Sequence, residues 1–300
     1  MRAILPLAFV LVAPAFAQLS PTATWATHAA NEYQVYPNVT YLTIGDTQLK
    51  MDIYRRRTAT TPQPTIIYIH GGFWVAGNKE GAIMNILPWM EMGWNVVNVE
   101  YRLGPATLAP GAVEDCFCAL RFVVQQAQSN GNAYNVDVNR IVVTGESAGG
   151  HLALALGILP EKENFDRECA ANTPLPKPAA VINWFGITDV PDVIDGPNRR
   201  APAERWFGSM PNRLEVAKRV SPLTYVRPGL PPILTIHGDA DPTVPYPEAV
   251  ALHKALDQAK VPNQLVTVPG GKHGGFNNQE RDRIYLTIRD FLAKNGVMPK

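Results

Sequence analysis

Three cysteines in 300 residues are too few for a disulfide framework, and an odd number leaves at least one thiol unpaired. None of Cys116, Cys118 and Cys169 has a Cys-x-x-Cys partner or a histidine at ligand spacing, so neither a metal site nor a dithiol redox site is expected. Cys116 and Cys118 stand two apart on a predicted helix and face different ways, so they should not bridge each other. A link from either to Cys169, or buried free thiols, stays open. Charge of one sign is also missing: 27 basic against 26 acidic residues leave +1, with 18% charged and 46% apolar. That balance excludes disorder and an electrostatic nucleic-acid partner. Beyond the N-terminus no apolar run is long enough to span a bilayer.

The N-terminus itself reads as a secretory signal. Met1-Arg2 supplies the positive start, residues 3 to 13 are apolar apart from one proline, and Ala15-Phe16-Ala17 is a small-x-small cleavage site. About 15 apolar residues fall short of the roughly 20 a transmembrane helix needs, which favours cleavage after Ala17 over an anchor. The expectation is an exported, soluble protein, secreted or periplasmic, with residues 18–300 as one catalytic domain and no membrane anchor after cleavage.

Proline (27) and glycine (23) are abundant, as expected of many turns between buried elements. Residues 39–44 and 48–54 alternate like a hairpin around Gly45-Asp46. Continuous apolar runs at 65–70, 95–100, 140–144, 179–185, 232–237 and 264–268 read as strands buried on both faces. Helical stretches near 81–92, 110–129, 148–158, 246–260 and 279–294 fall between them. This alternation predicts an α/β fold of three layers, a mostly parallel central sheet flanked by helices. Residues 186–228 have no clear period and are expected to form a small cap beside a site.

The strand at 140–144 runs into Gly145-Glu146-Ser147-Ala148-Gly149, and a helix follows. G-x-S-x-G in a strand-turn-helix context is a nucleophile elbow, which lifts the Ser147 hydroxyl above the sheet edge at a helix N-terminus. A serine hydroxyl needs a histidine to take its proton and an acid to orient that histidine, in the chain order serine, acid, histidine. His273, in the glycine-rich loop after the last strand, is the expected base. The loop His237-Gly238-Asp239-Ala240-Asp241-Pro242 offers two acids. Asp239 follows a turn glycine and suits backbone bonding; Asp241 stands further out and is assigned to the histidine. His70-Gly71-Gly72-Phe73-Trp74, at the end of a central strand, matches a loop whose amides join that of Ala148 in an oxyanion hole.

Taken together, HGGFW, VEYRL at 99–103, GESAGGHLA at 145–153, HGDADPTVP and GGKHGGF resemble the HGG-type esterases of the α/β-hydrolase superfamily. That group includes hormone-sensitive-lipase-like carboxylesterases, kynurenine formamidases, and acetylxylan and feruloyl esterases. The resemblance runs over roughly residues 39–294. It implies Ser147, Asp241 and His273 as a triad and the amides of Gly72, Phe73 and Ala148 as the oxyanion hole. Many members carry HGGG where this chain has Phe73, which is similar to the formamidase and feruloyl-esterase side of the group. The implied activity is acyl transfer to water through an acyl-enzyme, with no cofactor and no metal, on acetyl or feruloyl esters of carbohydrate. A broad short-chain carboxylesterase is the alternative, ahead of a formamidase, a peptidase or a non-catalytic binding module. Trp74, Trp184, Trp206 and Phe276 are expected to line the substrate pocket.

Overall fold

The β-branched apolar runs form the middle of an eight-stranded sheet because they can bury both faces of a strand. A computed structural model describes residues 19–129, 131–169 and 175–299. The signal reading of residues 1–17 lies outside the described residues. In chain order the elements are α1 (Pro21–Glu32), β1 (Tyr33–Ile44), β2 (Thr47–Arg56), β3 (Gln63–Ile69), α2 (Ile83–Glu91), β4 (Asn95–Val99), α3 (Gly111–Gln128), β5 (Val136–Glu146), α4 (Ala148–Ile158), β6 (Ala180–Trp184), α5 (Val190–Ile194), α6 (Ala201–Phe207), α7 (Arg213–Arg219), β7 (Ile233–Gly238), α8 (Tyr246–Gln258), β8 (Asn263–Val268) and α9 (Asn278–Lys294).

The strand order is β1-β2-β4-β3-β5-β6-β7-β8. The β1–β2 hairpin turns at Gly45-Asp46 and pairs antiparallel with β4, and every later pairing is parallel. Alternate side chains separate into two cores. Ile66, Tyr68, Val142, Ile182 and Ile236 pack against α2 and α9. Ile67, Ile69, Val143, Val181 and Ile233 pack against α3, α4, α8 and the cap. Every residue of α4 is buried, which is why AGGHLALALGI carries no charged face.

The close approach of α4 to the sheet explains the elbow glycines. A Cβ on Gly149 would sit 2.0 Å from the Ile69 carbonyl oxygen, so no larger residue lets α4 start directly above β3. The aperiodic stretch 186–228 holds α5, α6, α7 and a single 3-10 turn at Pro222–Tyr225. Two features differ from the sequence expectation: α1 is an added helix, and β1 begins six residues before the predicted Val39. The Pro37 and Asn38 interruption breaks the alternation that marks a strand, and a register shift between Tyr36 and Val39 accommodates it. Cys118 bonds to Cys169, and Cys116 is a buried free thiol.

Candidate active site

Ser147 occupies the tip of the β5-to-α4 turn with φ 56° and ψ −118°, a conformation few L-residues adopt. Its amide bonds to the Trp184 carbonyl at 2.9 Å, which ties the elbow to the end of β6. Ser147 and His273 line one cavity of about 470 Å³ at the carboxyl ends of the strands. In open α/β sheets this is where ligands bind.

His273 reaches the cleft from the loop after β8, and its Nδ1 lies 2.7 Å from Asp241 Oδ2. The Asp241 side chain is fully buried. Its Oδ1 accepts from the Thr243 amide at 2.7 Å and the Val244 amide at 3.1 Å, and His237 Nε2 lies 3.3 Å from Oδ2. Burial raises the Asp241 pKa, but hydrogen bonds from His237, His273 and the Thr243 amide outweigh it and hold the carboxyl well below the usual range. An ionised Asp241 accepts only, so it draws the proton to His273 Nδ1 and leaves Nε2 able to accept one. Asp239 does different work: its Oδ1 accepts from the Gly270 amide at 2.6 Å and pins the acid loop to the histidine loop.

The loop after β3, expected to form the oxyanion hole, runs Gly72, Phe73, Trp74 with φ of 120°, 49° and 61°, three consecutive left-handed residues. A Cβ on Gly72 would lie 2.0 Å from the Ala76 carbonyl oxygen, so the turn requires glycine there. Gly72 and Phe73 line the cavity, and among the described residues no backbone carbonyl takes up the amides of Gly72, Phe73 or Ala148. Helix α4 begins at Ala148, directly after Ser147, so its positive end lies beside the Ser147 side chain.

Two of the four aromatic expectations are corrected. Trp184 and Phe276 line the cavity, whereas Trp74 and Trp206 are fully buried and stack on each other at 4.3 Å. Trp74 Nε1 donates to His151 Nδ1 at 3.0 Å, and His151 Nε2 lies 2.8 Å from the Val220 carbonyl oxygen. The left-handed backbone at Trp74 turns its ring into the body of the protein, where it joins the oxyanion loop to α4 and the cap. Burial lowers the His151 pKa to about 4, against the Val220 bond, so the imidazole is neutral at physiological pH.

The structure adds residues that sequence reasoning passed over. Phe185, in a left-handed conformation after β6, packs on the His273 ring at 4.7 Å. Glu146 and Asn85 line the cleft beside Ser147, with Asn85 Nδ2 donating to Glu146 Oε2 at 3.1 Å. Glu146 was visible as the second residue of the elbow motif; Asn85 and Phe185 had no signal.

The BD-FAE family model matches residues 51–256 of this chain. Esterase LipC of Mycobacterium tuberculosis is 28% identical over 239 residues, covering 75% of this chain and 56% of its own length. The chain spans a little over half the length of such curated relatives. A butyrate-bound esterase of Thermogutta terrifontis matches with a TM-score of 0.74 and 26% identity over 89% of this chain and 95% of that one. A truncated carbohydrate esterase from gut microbiota matches with a TM-score of 0.70 and 28% identity, covering 87% and 97%.

Proposed function

The chain belongs to the BD-FAE family of α/β-hydrolases, and on that premise we propose that it is a serine esterase that cleaves carboxylic esters through an acyl-enzyme on Ser147. The observation that carries this reading is that His273, held through Nδ1 by the buried Asp241, lines one cavity with an elbow serine. His273 Nε2 takes the Ser147 proton as Oγ attacks the ester carbonyl. The amides of Gly72, Phe73 and Ala148 hold the oxyanion, each worth about 3 kcal/mol of barrier. His273 then gives the proton to the leaving alcohol, and water repeats the cycle on the acyl-enzyme.

The acyl group is acetyl or feruloyl and the alcohol belongs to a carbohydrate. Support comes from the aromatic wall of Trp184, Phe185 and Phe276, and from the likeness to the gut carbohydrate esterase. A short-chain carboxylesterase is the second reading, favoured by the likeness to the butyrate-bound enzyme. Export fits both: the N-terminal charge, apolar run and Ala15-Phe16-Ala17 suit a cleaved signal, and the Cys118–Cys169 bond suits an oxidising compartment. A panel of acetyl xylan, methyl ferulate and p-nitrophenyl acetate, butyrate and octanoate tests the choice. Preference for the first two supports the carbohydrate reading; turnover of the simple esters alone supports the second.

A further inference from the structure

Ester hydrolysis as derived above employs a serine, a histidine, an aspartate and backbone amides, and it leaves one charge in the cleft without a task. Arg281, in the first turns of α9, lines the same cavity as Ser147 and His273. Among the described residues its side chain enters no ion pair and no hydrogen bond. The acid that shares the cavity with it is otherwise engaged, since Glu146 Oε2 accepts from Asn85. Burial raises the Glu146 pKa, and the charges of Arg281 and His273 partly offset that, while no ion pair forms between Glu146 and Arg281. Glu91 and Asp282 lie with Arg281 along a neighbouring groove of about 440 Å³ between α2 and α9, and neither comes within ion-pair distance of it. Arg281 thus lines both the catalytic cavity and a second groove.

A planar guanidinium offers a fork that matches a carboxylate in two parallel hydrogen bonds, and an amide or hydroxyl cannot supply the opposite charge. Its place in the chain indicates which part of the substrate it meets. Arg281 follows His273 on the same segment, with Phe276 between them on the cavity wall. His273 is the group that hands its proton to the leaving oxygen. We propose that Arg281 binds a carboxylate on the leaving alcohol, so that the substrate is the O-acyl ester of a hydroxy acid, of which an acylated uronic-acid unit is the carbohydrate form. This rests on the ester-hydrolase reading and narrows its substrate class.

The test uses the full chain and two probes of the same shape, 4-acetoxybenzoate and the uncharged 4-acetoxybenzamide. Wild type prefers the carboxylate in kcat/KM by about tenfold or more, the scale of a charge-assisted contact. Arg281→Met brings the ratio close to one, and Arg281→Lys, a point charge without the fork, recovers part of it. No preference in wild type, or an undiminished one in Arg281→Met, overturns the inference. A second arm needs no turnover: calorimetry compares 4-hydroxybenzoate with 4-hydroxybenzamide on wild type and both variants. Equal binding of the two by wild type overturns the inference even if esters are cleaved. Selective binding that Arg281→Met abolishes, with neither ester hydrolysed, keeps the Arg281 site and removes the ester-hydrolase reading instead.

Discussion

Asp241 Oδ2 lies 2.7 Å from His273 Nδ1, while Asp239, two residues earlier, bonds the Gly270 amide. The two acids therefore divide the labour: one orients His273, the other holds its loop. Asp241→Asn keeps the shape but offers an amide that can bond the wrong tautomer of His273. On p-nitrophenyl acetate it should lower kcat by about three to four orders of magnitude. Asp239→Asn should lower it by about tenfold at most, because an amide oxygen can still accept from Gly270. Steady-state kinetics on both variants checks the division, and the reverse ranking reassigns the acid.

Ser147→Ala should cut kcat/KM by about a thousandfold or more and leave Tm unchanged, since the amide bond to Trp184 survives the substitution. Intact mass after paraoxon treatment gives an independent readout. Wild type gains one diethylphosphoryl group and Ser147→Ala gains none; labelling of the variant would point to a different nucleophile.

Gly72→Ala attacks the oxyanion hole without touching the triad. The added Cβ meets the Ala76 carbonyl oxygen in a left-handed turn, so the loop must shift. A displaced donor costs about a hundredfold in kcat with little change in KM, because the oxyanion forms only after binding. A purely KM-based loss would argue against this role for the loop.

Glu248 on α8 gives a pH signature. Its Oε2 accepts from the Thr188 amide at 2.6 Å and the Asp189 amide at 3.1 Å, anchoring the loop between β6 and α5. Burial raises its pKa from 4.5 to about 7, against those two amide bonds. Between these values the unfolded chain binds fewer protons at this residue than the folded one, so stability falls as pH rises. The neutral His151 acts oppositely: its pKa is lowered, so folded protein loses stability as pH falls from 6.5 to about 4. Comparing wild type with Glu248→Gln separates the two. The difference in unfolding free energy should change by about 2–3 kcal/mol between pH 4 and pH 8, favouring the variant at high pH. A constant difference in urea melts refutes the assignment.

Cys118 and Cys169 close a loop of 51 residues, so Cys169→Ala should lower stability by about 2–4 kcal/mol. Cys116→Ala, a buried thiol without a bond, should cost less than half of that. Urea melts under non-reducing conditions check the ranking.

Much of this was legible in the chain. The strands from 63 onward and helices α2, α3, α4, α8 and α9 follow from period and punctuation, because burial on two faces leaves no other pattern for a parallel strand. The site residues Ser147, Asp241 and His273 were legible because each stands at a strand end where a turn motif interrupts an apolar run. The aromatics were not. Trp74 sits next to the oxyanion loop in sequence, yet its left-handed backbone sends the ring inward onto Trp206 and His151. A neighbour in sequence shares a cavity only if the backbone dihedrals point it there.

The sequence by itself determined the order of the strands with helices α2, α3, α4, α8 and α9, the elbow, the histidine loop and the acid loop, since all are written in local period and turn residues. Only the tertiary structure decided which cysteine bonds Cys169, that Trp74 and Trp206 turn away from the cleft, and that Arg281 lines one cavity with Ser147. Each of these joins residues distant in the chain or chooses between near neighbours. Such choices depend on where the sheet delivers its loops, a matter of a few ångströms that no local pattern records.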